Sequence, residues 1–210
     1  MPTPQVLTDA SYIDEALNVL AVRARRLALA RECRHAQQGG PDDQPCQSAL
    51  DRLTALDARE KGLKAELDAR LDAHRADPSA QQLGLHRLGM TLDLNEEEMM
   101  VLVTAFCFAL SEDMASFVFD DMASGFGGSG SVEFYCRLLQ GDSTADRLRV
   151  RRYFLPTGRL VAAGLIAIDK MRNADFQPED LLWCRVRLTD LGFGALVGVG
   201  PVPTMVEPCS

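Results

Sequence analysis

The sequence has no pair of cysteines spaced C-x-x-C and only three histidines, His35, His74 and His86. A structural zinc needs roughly four ligands in a tight tetrahedral cluster. Cys33, His35 and Cys46 come nearest to one, but no fourth ligand stands at a recognisable spacing. Surface positions at a helix end account for them better, and no metal or other cofactor is expected. Cationic residues are outnumbered: 22 Lys and Arg against 30 Asp and Glu give a net charge of −8. An acidic chain repels a phosphate backbone unless its bases gather on one face, which weighs against nucleic acid as a partner. Long apolar runs are missing too. The most apolar stretch, Met99 to Leu110, falls short of the roughly 20 residues that span a bilayer, so no membrane partner is expected. The opening MPTPQVLTDASYIDEAL has no basic start and no apolar middle, so it does not read as a signal peptide. The expected location is the cytoplasm.

Catalytic signatures are absent as well. No Ser or Cys sits in a nucleophile elbow, and the histidines lie in the N-terminal part, away from the densest core. The glycine-rich GFGGSGS, Gly125 to Ser131, lacks the Lys-Ser/Thr ending of a phosphate-binding loop and follows no hydrophobic strand. It reads as a flexible connection. These observations lead to the expectation that the chain is not an enzyme and has no catalytic residues.

What is present is an ordinary globular balance, 47% hydrophobic and 25% charged, organised around Leu94 to Met114. Asn95 is a good N-cap, and Glu98 stands three residues on, where a capping-box acid belongs. Glu96 and Glu97 put negative charge on the positive end of the helix dipole. Leu94 and Met99 have the spacing of a hydrophobic staple. A helix apolar nearly all round must be buried on most faces. The segment is therefore predicted to be the central helix of a core.

Before it, Asp9 or Ser11 can cap a long helix to about Gln38. In it Ile13, Leu17, Leu20, Ala24 and Leu27 recur as a heptad-like seam. Gly39-Gly40-Pro41 breaks that helix. A second long helix is predicted from about Gln44 to Arg75, with Leu53, Leu56, Leu63, Leu67 and Leu71 on a stripe. Together they make an antiparallel hairpin. It either serves self-association as a coiled coil or folds back on its own domain. Asp77-Pro78-Ser79 marks a boundary.

A short helix, Gln82 to Gly89, precedes the central one. Further helices are expected over Glu112 to Met122, from Ser131 to Gln140, and from Ser143 or Thr144 to about Phe154. Leu160 to Ala163 gives a helical turn stopped by Gly164. Leu165 to Asp169 and Trp183 to Leu188 read as two strands of a small antiparallel ribbon, with a polar loop over Met171 to Asp180 between them. Asp190 is expected to cap a last helix to about Val197.

The run RLRVRR, Arg147 to Arg152, with Arg159 nearby, is the one clear basic cluster. Arg147, Arg149, Arg151, Arg152 and Arg159, with Arg137, are the candidates for contact with nucleic acid or an acidic partner. The groove-reading helix would be Ser131 to Gln140. It offers only Arg137 and Gln140 outward and carries Glu133 at its leading end, whereas such helices present several donors there. An acidic protein partner, or a balance of nearby acids, suits the basic run better than DNA.

From about Leu83 to Gly200 the chain resembles the winged-helix domain on the N-terminal side of a group of bacterial AAA-type ATPases. LDLNEEEMMVLVTAFCFAL resembles that family's L-x-L-(S/T)-x-x-E lead into an apolar helix. SVEFYCRLLQ matches its T-V-x-x-x-x-x-L-L helix, with Ser131 where threonine is common. DRLRVRRYFLPTGRLVAAGLIAID and VRLTDLGFGALVG match its later helix, loop and ribbon patterns. The expected fold is mainly α: the residues themselves give a helical hairpin over residues 1–80 and a tail or linker over 201–210, and the resemblance implies a winged helix-turn-helix domain with a small antiparallel β-ribbon over 81–200. It also implies an accessory role beside a nucleotide-hydrolysing module, since no GxxxxGK[ST] occurs in this chain. The chain would be a piece of a larger ATPase or a stand-alone relative. The expected partners are a protein, possibly an AAA-type ATPase module, and a second copy of the chain through the hairpin. A DNA-binding, regulator-like winged helix is the alternative.

Overall fold

In the computed structural model, which describes residues 7–38, 47–77, 83–111, 115, 119, 130–140, 144–169, 178–201 and 203, the chain is mainly helical with a two-stranded sheet. Helix α1 (Asp9–Gln38) and helix α2 (Gln47–Ala76) form the hairpin. Then come α3 (Gly84–Leu92), α4 (Glu96–Leu110), α5 (Val132–Gln140), α6 (Thr144–Arg151) and the short α7 (Arg159–Ala162). Strand β1 (Ile166–Asp169) pairs antiparallel with β2 (Arg185–Leu188), Ile166 opposite Leu188 and Asp169 opposite Arg185, and α8 (Asp190–Leu196) follows.

Helix α4 is the centre. Val101 to Cys107 are buried without interruption, through nearly two turns, so no face of this stretch meets water. Its start has both halves of a capping box. Glu98 N–H donates to Asn95 Oδ1 at 2.9 Å, and Asn95 N–H donates to a Glu98 carboxylate oxygen at 3.0 Å. Helix α1 and strand β2 lie against α4, and one apolar cluster runs from Leu7 and Tyr12 through Leu102 to Leu196. The proximal half of the hairpin belongs to that cluster through Ile13, Leu17, Leu20, Leu67 and Leu71. That half of the hairpin thus packs on its own chain.

Glu60 sets the register of that hairpin. It is buried, at 7% exposed. Arg23 Nε donates to one of its oxygens at 2.6 Å and Arg26 Nε to the other at 2.7 Å. Arg23 also reaches Met100 of α4, with Nη1 2.8 Å from the sulfur. Arg70 pairs with Glu15 nearer the base.

Several boundaries differ from the sequence reading. Helix α3 runs on to Leu92 rather than stopping at Gly89, because Leu85, Leu88 and Leu92 share one buried face. Burial of that face outweighs the weak helix preference of one glycine. A Cβ at Gly89 would meet the Met99 sulfur at 2.9 Å, so the glycine serves close packing there. Helix α8 is capped by Thr189, whose hydroxyl accepts from Gly192 N–H at 3.0 Å, and not by Asp190. Trp183 closes a 3-10 turn, Pro178–Trp183, instead of opening a strand. The turn buries Leu181 and brings Cys184 N–H to the Leu181 carbonyl. In β2, Val186 and Leu188 face inward and Arg185 and Arg187 outward, the alternation of a half-exposed strand. Of the predicted Glu112 to Met122 helix, Ala115 and Phe119 are helical and buried. The rest of it, most of the glycine-rich loop and the Met171 to Gln177 loop lie outside the described residues.

Removing one partner of a buried pair strands the other charge, at a cost of several kcal/mol. Glu60→Ala is expected to lower unfolding free energy by about 3 kcal/mol, read as a shift of the urea midpoint at unchanged slope.

Candidate functional site

Helix α5 is where a winged helix would read DNA. Gly130 takes φ +86°, and Ser131 then caps the helix, its hydroxyl accepting from Phe134 N–H at 3.2 Å. Beyond the cap, Val132 to Cys136 and Leu138 and Leu139 are all buried. Helices α1, α4 and α6 and the 178–183 turn pack around it. Tyr135 is fully buried, and its phenol is held far above its ordinary value, first by desolvation and then by the neighbouring Cys107. The expectation that Arg137 points outward is corrected. Its Nε donates to Glu133 Oε1 at 2.8 Å, one turn back on the same helix, and the two side chains are only 17% and 6% exposed. The aromatic residues of α5 fill the core, and the one arginine is tied down over them.

Arg149, in the basic run, lies against the acids that open α4. Arg149 grips Glu97 with both terminal nitrogens, at 2.7 and 2.9 Å. Tyr153 donates its hydroxyl to the same carboxylate at 2.7 Å and accepts from Asn95 Nδ2 at 3.2 Å. The hydrogen bond to Glu97 strengthens the hold of Arg149 on its proton. Tyr153 holds its own more tightly through partial burial and then through the bond to Glu97. Arg159 stands 3.3 Å from Asp93 and 3.7 Å from Glu98, and Lys64 of α2 binds Glu96 at 2.6 Å. Arg151 is half-buried and Arg152 exposed. The side chain of Arg147 lies outside the described residues. Among the five candidates whose side chains are described, Arg137 is paired on α5, while Arg149 and Arg159 are paired at the α4 N-terminus. Lys64, Asp93 and Tyr153 complete that network, and no local motif announced them.

A cavity of about 400 Å³ lies between the hairpin base and α4, lined mainly by apolar side chains such as Leu20, Leu67, Leu71, Met99 and Val103, with Tyr12 among them. Lys64 and Glu96 bond to each other on its wall. Among the described residues, no group of three or more His, Cys, Asp or Glu could hold a metal ion. No helix among them is long and apolar enough to cross a membrane.

Cys33, Cys107, Cys136 and Cys184 are buried and in no disulfide. Burial pushes the Cys107 thiol from its ordinary 9.0 up to about 11. Below pH 9 both folded and unfolded forms keep that proton and stability is intact. As pH rises toward 11 the unfolded chain ionises first, and stability falls by up to about 2 kcal/mol. Tyr135 acts in the same direction at higher pH. Denaturant titrations between pH 8 and pH 11 are expected to show this decline, smaller in Cys107→Ala after correction for its lower baseline.

A model of the family described as "winged helix domain, variant" matches residues 7–203. Comparison with curated proteins and with solved structures returned no match in either case. The family match takes in the helical hairpin as well as the helices and ribbon after it, and on that match the chain belongs to the winged helix domain family, in its variant form.

Proposed function

We propose that this chain is a non-catalytic winged-helix module that works through protein contacts in the cytoplasm, recruiting a partner to an AAA-type ATPase or helping one to assemble. In this reading residues 81–200 are the scaffold, residues 1–80 carry the contact surface, and 201–210 are a tail or linker. The single observation that carries it is the enclosure of α5. A helix that enters a major groove needs an open face with several donors, because base edges are read by side chains reaching out from it. Helix α5 has apolar and aromatic residues where donors would be, other elements around it, and its arginine held by Glu133. Phosphate contact is disfavoured by the same arrangement, since Arg149 and Arg159 already neutralise acids of their own chain. The sequence resemblance over the core patterns supports the association with an ATPase.

A mobility-shift titration of the full chain against a pool of genomic fragments at 50 and 200 mM salt tests this reading. A binder with six to ten phosphate contacts loses roughly 10³–10⁵ in affinity over that interval. The expected outcome is no shift at micromolar protein at either salt. Tight binding that collapses at the higher salt overturns the reading in favour of a DNA-binding regulator. Labelled ATP is expected to show no saturable micromolar binding to the chain.

A further inference from the structure

The distal half of the hairpin carries a second groove, far from the basic run. On α1, Arg25, Ala28, Leu29 and Glu32 recur at i, i+3, i+4 and i+7; on α2, Arg52, Ala55, Leu56 and Arg59 do the same. These two strips line a groove of about 440 Å³, and among the described residues none beyond α2 contributes to its lining. The cause is local. Packed helices sit about 8–10 Å apart at a distance their side chains set, and alanines at 28 and 55 leave the space between the helices unfilled. Leu29 is buried and Leu56 half-buried, which gives the groove an apolar floor.

Its rim is cationic in an acidic protein. Arg25, Arg52 and Arg59 are exposed around it, against the single acid Glu32. Arg52 and Arg59 make no ion pair among the described residues. The Glu60 register places Arg25 and Arg59 at one end of the groove, with Glu32 and Arg52 at the other. Arg52 and Arg59 are two helical turns apart, about 10 Å along α2.

We propose that this groove docks an acidic amphipathic helix of a partner protein, with an apolar side chain seated beside Ala28 and Ala55 and carboxylates two turns apart paired with Arg52 and Arg59. The proposal rests on the reading of the chain as a protein-contact module and names the chemistry of the surface that module uses. Charge complementarity selects the partner: a basic or neutral helix leaves the guanidiniums of Arg52 and Arg59 without a counter-charge, and like charges across an interface are penalised.

The test is selection of a displayed random 16-residue peptide library on the full chain, followed by affinity measurement on free peptides. Enriched peptides are expected to be net acidic, with apolar residues at helical spacing. Arg52→Glu/Arg59→Glu is expected to weaken them roughly tenfold or more, as is higher salt, with the melting curve unchanged. Ala55→Leu, which fills the groove without changing charge, is expected to weaken them too. Peptides without acidic bias, or equal affinity for all three chains, overturn the proposal. So does sedimentation showing a dimer that the charge reversal splits, since a second copy is then the occupant. DNA binding in the mobility-shift titration removes the functional reading by a different measurement, so the two failures are told apart.

Discussion

The constraint on which the molecule depends is that α4 has no side that tolerates water. From Val101 to Cys107 every residue is buried. An amphipathic helix needs one neighbour, but this one has to be surrounded. Helix α1, strand β2 and helix α5 each take part of its circumference. The aromatic residues finish the enclosure: Phe106 stacks on Phe193 at 5.1 Å, and Phe108 meets Phe119 and Phe134 within 6 Å. Helix α5 is one of those walls, and Val132 to Cys136, Leu138 and Leu139 are its buried side.

Where α4 reaches the surface, its three opening glutamates act twice. They satisfy the helix start, through the capping box and the dipole, and they receive bases from distant segments, Lys64 from α2, Arg149 from α6 and Arg159 from α7. The exposed pair of Lys64 and Glu96 contributes little by itself. The effect of the pairs is on direction: Arg149 in the basic run and Arg159 beyond it, which look free for a ligand in the sequence, are turned toward the protein's own acids.

Much of this was legible in the residues. The capping box at Asn95 and Glu98, the central burial, the hairpin and the antiparallel ribbon all follow from short-range chemistry and period, and all are present. Thr189 was missed as a cap because Asp190 beside it is an equally good cap by type, and only the backbone angle at 189 decides. The strand start at Trp183 was misread because an alternating pattern cannot distinguish a strand from a 3-10 turn that buries Leu181. Arg137 was placed outward on periodicity alone, which cannot register that the 178–183 turn and α6 close over the helix. Glu60 had a signal that went unused. It lies on the same stripe as Leu56, Leu63 and Leu67, so a carboxylate on an apolar seam required a buried partner, but only the fold could supply Arg23 and Arg26.

That carboxylate has a mechanical consequence. Two-helix arms with purely leucine seams can creep past one another by a heptad at modest cost, since one apolar contact replaces the next. Here any such creep would leave two guanidiniums facing hydrocarbon, so the arm is pinned lengthwise. Arg23 also touches Met100, which joins the pin to the central helix.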